Sequence, residues 1–228
     1  MMPQAGMTVR APRCALLVLS ALLPAAAAAS DLASQAATLT ADVPHGRVLY
    51  LKHCAACHGR QAWGSGPREI PALAGQRESY LVAQLAHFID GDRAGSELHG
   101  PAMHDALQPP DVKRAQALRD LSAWLSRATP NPEPEQGAGE SLAAAKRAYA
   151  RACAGCHGVK GEGSDAPIAA ALAAQHYSYL LTQLSSFATG QRAHAPGLAP
   201  TIVGSADEQR ALADYASRLA PAGASSGE

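Results

Sequence analysis

Two short stretches carry this chain's reactive side chains in an ordered pattern: Cys54-Ala-Ala-Cys57-His58 and Cys153-Ala-Gly-Cys156-His157. In each, two thiols stand one helical turn apart and an imidazole follows the second directly. Covalent attachment of a c-type haem requires this arrangement. The thiols add to the haem vinyl groups as thioethers, and the imidazole, held beside the iron by those bonds, ligates it from one side. The sixth iron position must then be filled from elsewhere. A single Cys-x-x-Cys would equally suit a redox disulfide, half of a zinc site, or two unrelated cysteines. A histidine at the next position in both copies, in a chain with only one other cysteine, selects the haem reading. The expected cofactors are two covalent haems c.

The rest of the chain must be able to receive such groups. Of 228 residues, 47% are hydrophobic, yet only two are Phe and two Trp, so protein aromatics alone make thin cores and two haems would add the missing apolar bulk. The formal net charge of zero offers no basic patch for nucleic acid. At the N-terminus, Arg10 and Arg13 precede an apolar run from Cys14 to Leu23, and an alanine tract ends at Ala29-Ser30. This is the pattern of an export signal cleaved near residue 30, and the run between Arg13 and Pro24 is short for a bilayer span. The mature chain is therefore expected in the periplasm, meeting membranes only through its partners. Cys14 leaves with the signal, so Cys54, Cys57, Cys153 and Cys156 are the thiols that remain. The signal also removes two arginines and no acid, turning 19 basic and 19 acidic side chains into a slightly acidic balance.

The expected fold class is all-α, two tandem domains of three to four helices around one haem each. Residues 31–44, rich in Ala, Ser and Thr, read as a flexible lead-in. Domain 1 covers 45–128. It opens with a short helix delivering Cys54, has a loop over 59–66, and continues with a helix over 78–89 that sets Leu81, Leu85 and Phe88 on one face. A loop over 91–103 follows, then a last helix over 111–127 entered through Pro109-Pro110. Residues 129–139, with prolines on alternate positions, form an extended linker. Domain 2 covers 140–221 and a flexible tail 222–228. Sliding the chain by 99 residues superimposes Tyr50 on Tyr149, Cys54 on Cys153, Gln76 on Gln175, Tyr80 on Tyr179, Gln84 on Gln183, Phe88 on Phe187 and Arg93 on Arg192. A register kept across loops and helices alike indicates duplication of a whole domain, each copy near the size at which a core needs a cofactor.

The chain resembles the dihaem cytochrome c4 family, exported proteins of two cytochrome c domains, from about Gly46 to Ala220. The resemblance rests on the two Cys-x-x-Cys-His-Gly stretches, on Leu73-Ala-Gly75-Gln76 followed by Tyr80-Leu81, and on Phe88, Gly91 and Arg93. It implies electron transfer between periplasmic or membrane-bound partners, such as a terminal oxidase, a quinol-oxidising complex or a dehydrogenase, with one His/Met haem per domain. For domain 1 it implies Met103 as the distal ligand opposite His58. It also implies the carbonyl of Pro71 as acceptor of the proximal imidazole proton, which fixes the ring. Met1, Met2 and Met7 fall in the signal, so Met103 is the one methionine of the mature chain.

Domain 2 departs from that pattern. Thr201 stands where Met103 does, Ala170 answers Pro71, and Trp124 is answered by Arg218, with Tyr215 one turn earlier as the alternative aromatic. The second haem therefore lacks the family's methionine. Its sixth position is open to His194, to water or a small ligand, or to a group supplied by a partner. A bis-His iron would have the lower reduction potential, because imidazole favours ferric iron more than thioether does. His176, beside Gln175, is expected at the surface or near a haem propionate, and His87, His99 and His104 at the surface. Electron carriage without catalysis of its own is the leading reading. The alternatives are a cytochrome subunit of a dehydrogenase and a ligand-binding or peroxidase-like second haem.

Overall fold

A computed structural model describes residues 31–91, 93, 100–194 and 204–220. The expected export signal, Thr201, His99 and the tail 222–228 lie outside the described residues. The first domain is built from helices α1 (Asp31–Thr38), α2 (Val43–His53), α3 (Ala55–His58), α4 (Glu78–Asp90), α5 (Gly100–Ala106) and α6 (Ala115–Arg127). The second holds α7 (Leu142–Ala152), α8 (Ala154–His157), α9 (Tyr177–Ala188) and α10 (Ala206–Ser217). A two-stranded antiparallel hairpin, β1 (Ser164–Asp165) with β2 (Ile168–Ala169), pairs Ser164 with Ala169. The expected all-α tandem pair is what the chain forms.

In each domain the helix before the haem motif crosses the last helix. Asp42 caps α2 by accepting from the His45 N–H at 3.0 Å, with Pro44 in the first turn. The crossing of α2 on α6 is close because Gly46 lies on the Asp120 carbonyl, where a Cβ would clash with main chain. Asp120, fully buried on α6, ties the two together by accepting from the Asp42 N–H at 2.7 Å and from His45 Nδ1 at 2.8 Å. In the second domain Asp214 on α10 does the same for the chain entering α7, accepting from Gly137 and Gly139 N–H at 3.0 and 2.6 Å. A capping box of Ser205 and Glu208 starts α10.

Three expectations change. Residues 31–44 are not a loose lead-in: α1 packs Ala33 and Ala36 into the first core, beside α4 and α6. Alanines at a three-residue spacing leave little hydrophobic signal yet fit closely against a neighbour. The segment read as loop over 91–103 ends in α5, whose first turn holds Pro101, so Met103 sits on a short helix. The last helix of domain 1 begins at Ala115, because Pro109, Pro110 and the residues after them are spent on turns.

The linker is an extended strap bonded to both domains. Thr129 O accepts from Trp63 Nε1 at 2.8 Å, and the Glu135 carboxylate accepts from Ser178 N–H and Oγ at 3.0 and 2.6 Å. The domains themselves meet across a local twofold. Gln76 exchanges hydrogen bonds with the Ala171 main chain, accepting at 2.6 Å and donating at 2.9 Å. Gln175 does so with Ala72, both at 2.9 Å. Arg93 reaches Gln84 at 2.8 Å and, across the interface, Tyr179 OH at 3.1 Å. Arg192 reciprocates toward Gln183 and, at 2.8 Å, Tyr80 OH. This is the isologous geometry of a twofold dimer, realised within one chain.

Candidate haem-attachment sites

Each Cys-x-x-Cys-His begins where one helix stops and a single-turn helix starts. The Cys54 N–H still bonds Tyr50 O at 2.9 Å, and the His58 N–H bonds Cys54 O at 3.0 Å. Cys153 and His157 repeat both bonds at 2.8 and 2.9 Å. The turn places both thiols of a motif on one side, with Cys57 and Cys156 exposed and all four free. Burial, then the neighbouring Cys57, pushes the Cys54 thiol up to about 12; burial and Cys156 push Cys153 to about 11. Redox-active Cys-x-x-Cys motifs lower a thiol's pKa instead. Among the described residues no cluster of three His, Cys, Asp or Glu side chains converges as a zinc site would.

Both proximal imidazoles are held from behind. His58 Nδ1 lies 3.1 Å from Pro71 O, and His157 Nδ1 lies 2.8 Å from Ala170 O. A carbonyl only accepts, so Nδ1 carries the proton and Nε2 the lone pair that a metal needs. The exchange of Pro71 for Ala170 costs nothing here because the contact is to the main chain. Burial lowers the pKa of His157, which favours its neutral, ligating form. One turn before each motif, Tyr50 OH donates to Gly59 O at 2.6 Å and Tyr149 OH to Gly158 O at 2.7 Å, clamping the end of the motif. Desolvation, then the adjacent cysteine, raises the pKa of both phenols and keeps them protonated.

Around the first motif, Met103, Trp63, Leu73 and Leu85 are partly buried against the domain core, on the same cluster as Cys54 and Ala55. Tyr50 packs on Trp124 with ring centroids 4.6 Å apart. In domain 2 it is Tyr215 that packs on Tyr149, at 5.4 Å. Arg218, the residue aligned with Trp124, bonds Asp214 and the linker instead. His194 lies near His157, ring centroids 5.8 Å apart, and packs T-shaped against Phe187 at 4.7 Å. These thiols, lone-pair nitrogens and half-covered apolar surfaces fit a covalent haem in each domain.

His176 is not at the surface. It is 5% exposed, donates from Nε2 to Trp63 O at 2.7 Å and accepts at Nδ1 from the Glu135 N–H at 3.1 Å, pinning linker and first domain to the second. His104 is exposed, as expected, with its Nδ1 3.0 Å from Phe88 O. Sequence reasoning also missed what Gln76, Tyr80, Gln84, Arg93 and their counterparts do. Their signal was present: polar residues identical at a 99-residue offset, with no motif of their own to account for it. Burial alone would raise the Tyr80 pKa, yet the Arg192 and Arg93 guanidiniums and the Arg192 hydrogen bond bring it below the usual phenol value.

The profile of the family described as Cytochrome c matches twice, over residues 43–129 and 142–217. Cytochrome c4 of Azotobacter vinelandii is 34% identical over 146 residues, spanning 61% of this chain and 69% of that protein. A thiosulfate dehydrogenase electron acceptor of Thiomonas intermedia is 31% identical over 161 residues, 65% of this chain and 69% of that one. The crystal structure of reduced recombinant cytochrome c4 from Pseudomonas stutzeri superimposes with a TM-score of 0.62 at 28% identity, over 79% of this chain and all of that one. With two matched domains, two haem-attachment motifs and a twofold join between them, the chain belongs to the cytochrome c family, in its dihaem cytochrome c4 branch.

Proposed function

We propose that the chain is a periplasmic electron carrier whose first haem is ligated by His58 and Met103 and whose second haem works without a methionine. Each haem, when bound, supplies one-electron chemistry at its iron. The protein's part is to hold it. Cys54, Cys57, Cys153 and Cys156 anchor the two groups, and the Pro71 and Ala170 carbonyls fix the proximal rings. The observation that carries the reading is the pairing of each free Cys-x-x-Cys with an imidazole whose Nδ1 is committed to a carbonyl. Among the described residues, no helix is long and apolar enough to cross a membrane.

Purified holoprotein should contain two haems c per chain and show one methionine-to-iron charge-transfer band when oxidised. One haem or none per chain would refute the attachment reading, and two such bands would refute the assignment of Met103 as the sole thioether ligand.

A second reading concerns the electron donor. The Thiomonas intermedia relative bears the name of a thiosulfate dehydrogenase electron acceptor, which favours a sulfur-oxidising dehydrogenase as the partner feeding this carrier. Rapid reduction of the oxidised chain by a thiosulfate dehydrogenase with thiosulfate supports that donor. Reduction no faster than that of an unrelated cytochrome c rules it out.

A further inference from the structure

We infer that His194 is the second axial ligand of the haem held by Cys153, Cys156 and His157, an inference that rests on the reading of that motif as a haem site. Two imidazoles bonded through one metal at about 2 Å per bond have ring centres roughly 6 Å apart. The His157 and His194 centroids are 5.8 Å apart, with planes 44° to each other. His157 commits Nδ1 to Ala170 O, so its lone pair is at Nε2.

His194 is also held. Its ring packs T-shaped against Phe187 on α9, centroids 4.7 Å apart and planes at 79°. Arg192, two residues earlier, lies over the same Phe187 ring at 4.9 Å and is fastened to Tyr80 OH and Gln84 Oε1 of the first domain at 2.8 and 2.9 Å. The backbone that presents His194 is therefore anchored at the domain interface, immediately before the imidazole.

The repeat gives an independent argument. Arg93-Ala94-Gly95 of domain 1 stands in register with Arg192-Ala193-His194 of domain 2. Domain 1 has glycine at the His194 position and a methionine at 103. Domain 2 has the histidine and no methionine. The two changes are complementary, as expected if a loop histidine has taken over the task of the missing thioether. Replacing thioether by imidazole favours the ferric state, so haem 2 has the lower potential of the pair and an electron entering there settles on haem 1.

The test is the spectrum of the oxidised holoprotein with both haems counted. The expected result is one His/Met and one bis-imidazole low-spin iron by electron paramagnetic resonance, with no carbon monoxide uptake by the ferrous form. In His194→Gly, one haem per chain should become high-spin and take up carbon monoxide, and added imidazole should restore the wild-type spectrum. In His194→Met, the lower of the two redox waves should move up toward the higher. A high-spin wild-type haem, or wild-type ligation surviving in His194→Gly, overturns the inference. A haem count below two in the wild type instead overturns the reading of the motifs, and the wild-type spectrum decides the ligation even where the variants fold poorly.

Discussion

The two halves of the chain agree where they hold the haem from the proximal side and disagree where they cover it. Tyrosine clamp, single-turn Cys-x-x-Cys-His helix and carbonyl behind the histidine recur within a few tenths of an ångström. The residues proposed for the opposite side do not recur: Met103 on α5 in domain 1, and no methionine but His194 in domain 2. Protein packing differs as well. Domain 1 buries Leu49, Tyr50, Leu81, Phe88, Leu118 and Leu121 in one cluster, whereas among the described residues the domain 2 cluster has Leu180, Ala213 and Ala216 at its centre. Covalent attachment is thus the shared constraint, and distal ligation, on our proposal, the variable one. We therefore expect domain 2 to depend more heavily on its cofactor for a core.

That comparison breaks most severely at the thiols. Cys54→Ser with Cys57→Ser should leave domain 1 without covalent haem yet folded in part, while Cys153→Ser with Cys156→Ser should leave domain 2 largely unfolded. Haem staining and protease digestion of each purified variant check this. Equal loss of structure in both would erase the distinction drawn from the cores.

The next effect is at the buried carboxylates. Asp120→Ala strands the Asp42 N–H, and Asp214→Ala strands those of Gly137 and Gly139, each at a cost of about 3 kcal/mol in thermal or denaturant unfolding. Asp120→Ala should loosen α2 against α6. Asp214→Ala should also free the strap, so that proteases cut within 129–139. Unchanged cleavage there would mean that the remaining ties through Trp63, Glu135, His176 and Arg218 hold the strap without Asp214.

A smaller change tests the place where the halves are alike. Gln76→Ala and Gln175→Ala each remove a reciprocal pair of interdomain hydrogen bonds, so each should cost about 1–3 kcal/mol and, by the local twofold, by the same amount. Calorimetry should show the single unfolding transition separating into two as the domains uncouple. Unequal costs would show that the symmetry of geometry is not one of energy.

Much of this was legible in the sequence, because the features concerned are local. A five-residue motif specifies its own turn and its own chemistry, and a 99-residue register specifies duplication. Resemblance singled out Met103 as the proposed distal ligand, but the helix carrying it was not legible: Gly100-Pro101 reads as loop unless the first-turn tolerance for proline is applied. The role of Ala33 and Ala36 was hidden by their small size, and that of His176 by its dependence on two distant carbonyl and amide groups. Tyr215 against Arg218 could be settled only by where the side chains point. Long-range hydrogen bonds of this kind join residues about 40 to 110 positions apart, where no local pattern reports them.

The least of the expected effects is electrostatic and again sets one domain against the other. Asp111 accepts from Lys52 Nζ at 2.6 Å and His53 Nε2 at 3.0 Å, and these two hydrogen bonds, that of Lys52 first, hold its carboxyl well below the usual carboxylate range. Domain 2 carries Arg151 and Ala152 in register with Lys52 and His53. A depressed carboxylate pKa contributes stability that is fully present above the ordinary range and is lost as the pH falls through the depressed value. Domain 1 should therefore lose this contribution on acidification, and Asp111→Asn should remove that part of its acid sensitivity while leaving domain 2 unmoved. The site is exposed, so salt should screen it and the change at neutral pH should be small. Urea unfolding from neutral to acid pH, at low and high salt, checks the point. An Asp111→Asn penalty as large as that of Asp120→Ala would place the carboxylate among the structural ties rather than at the solvated surface.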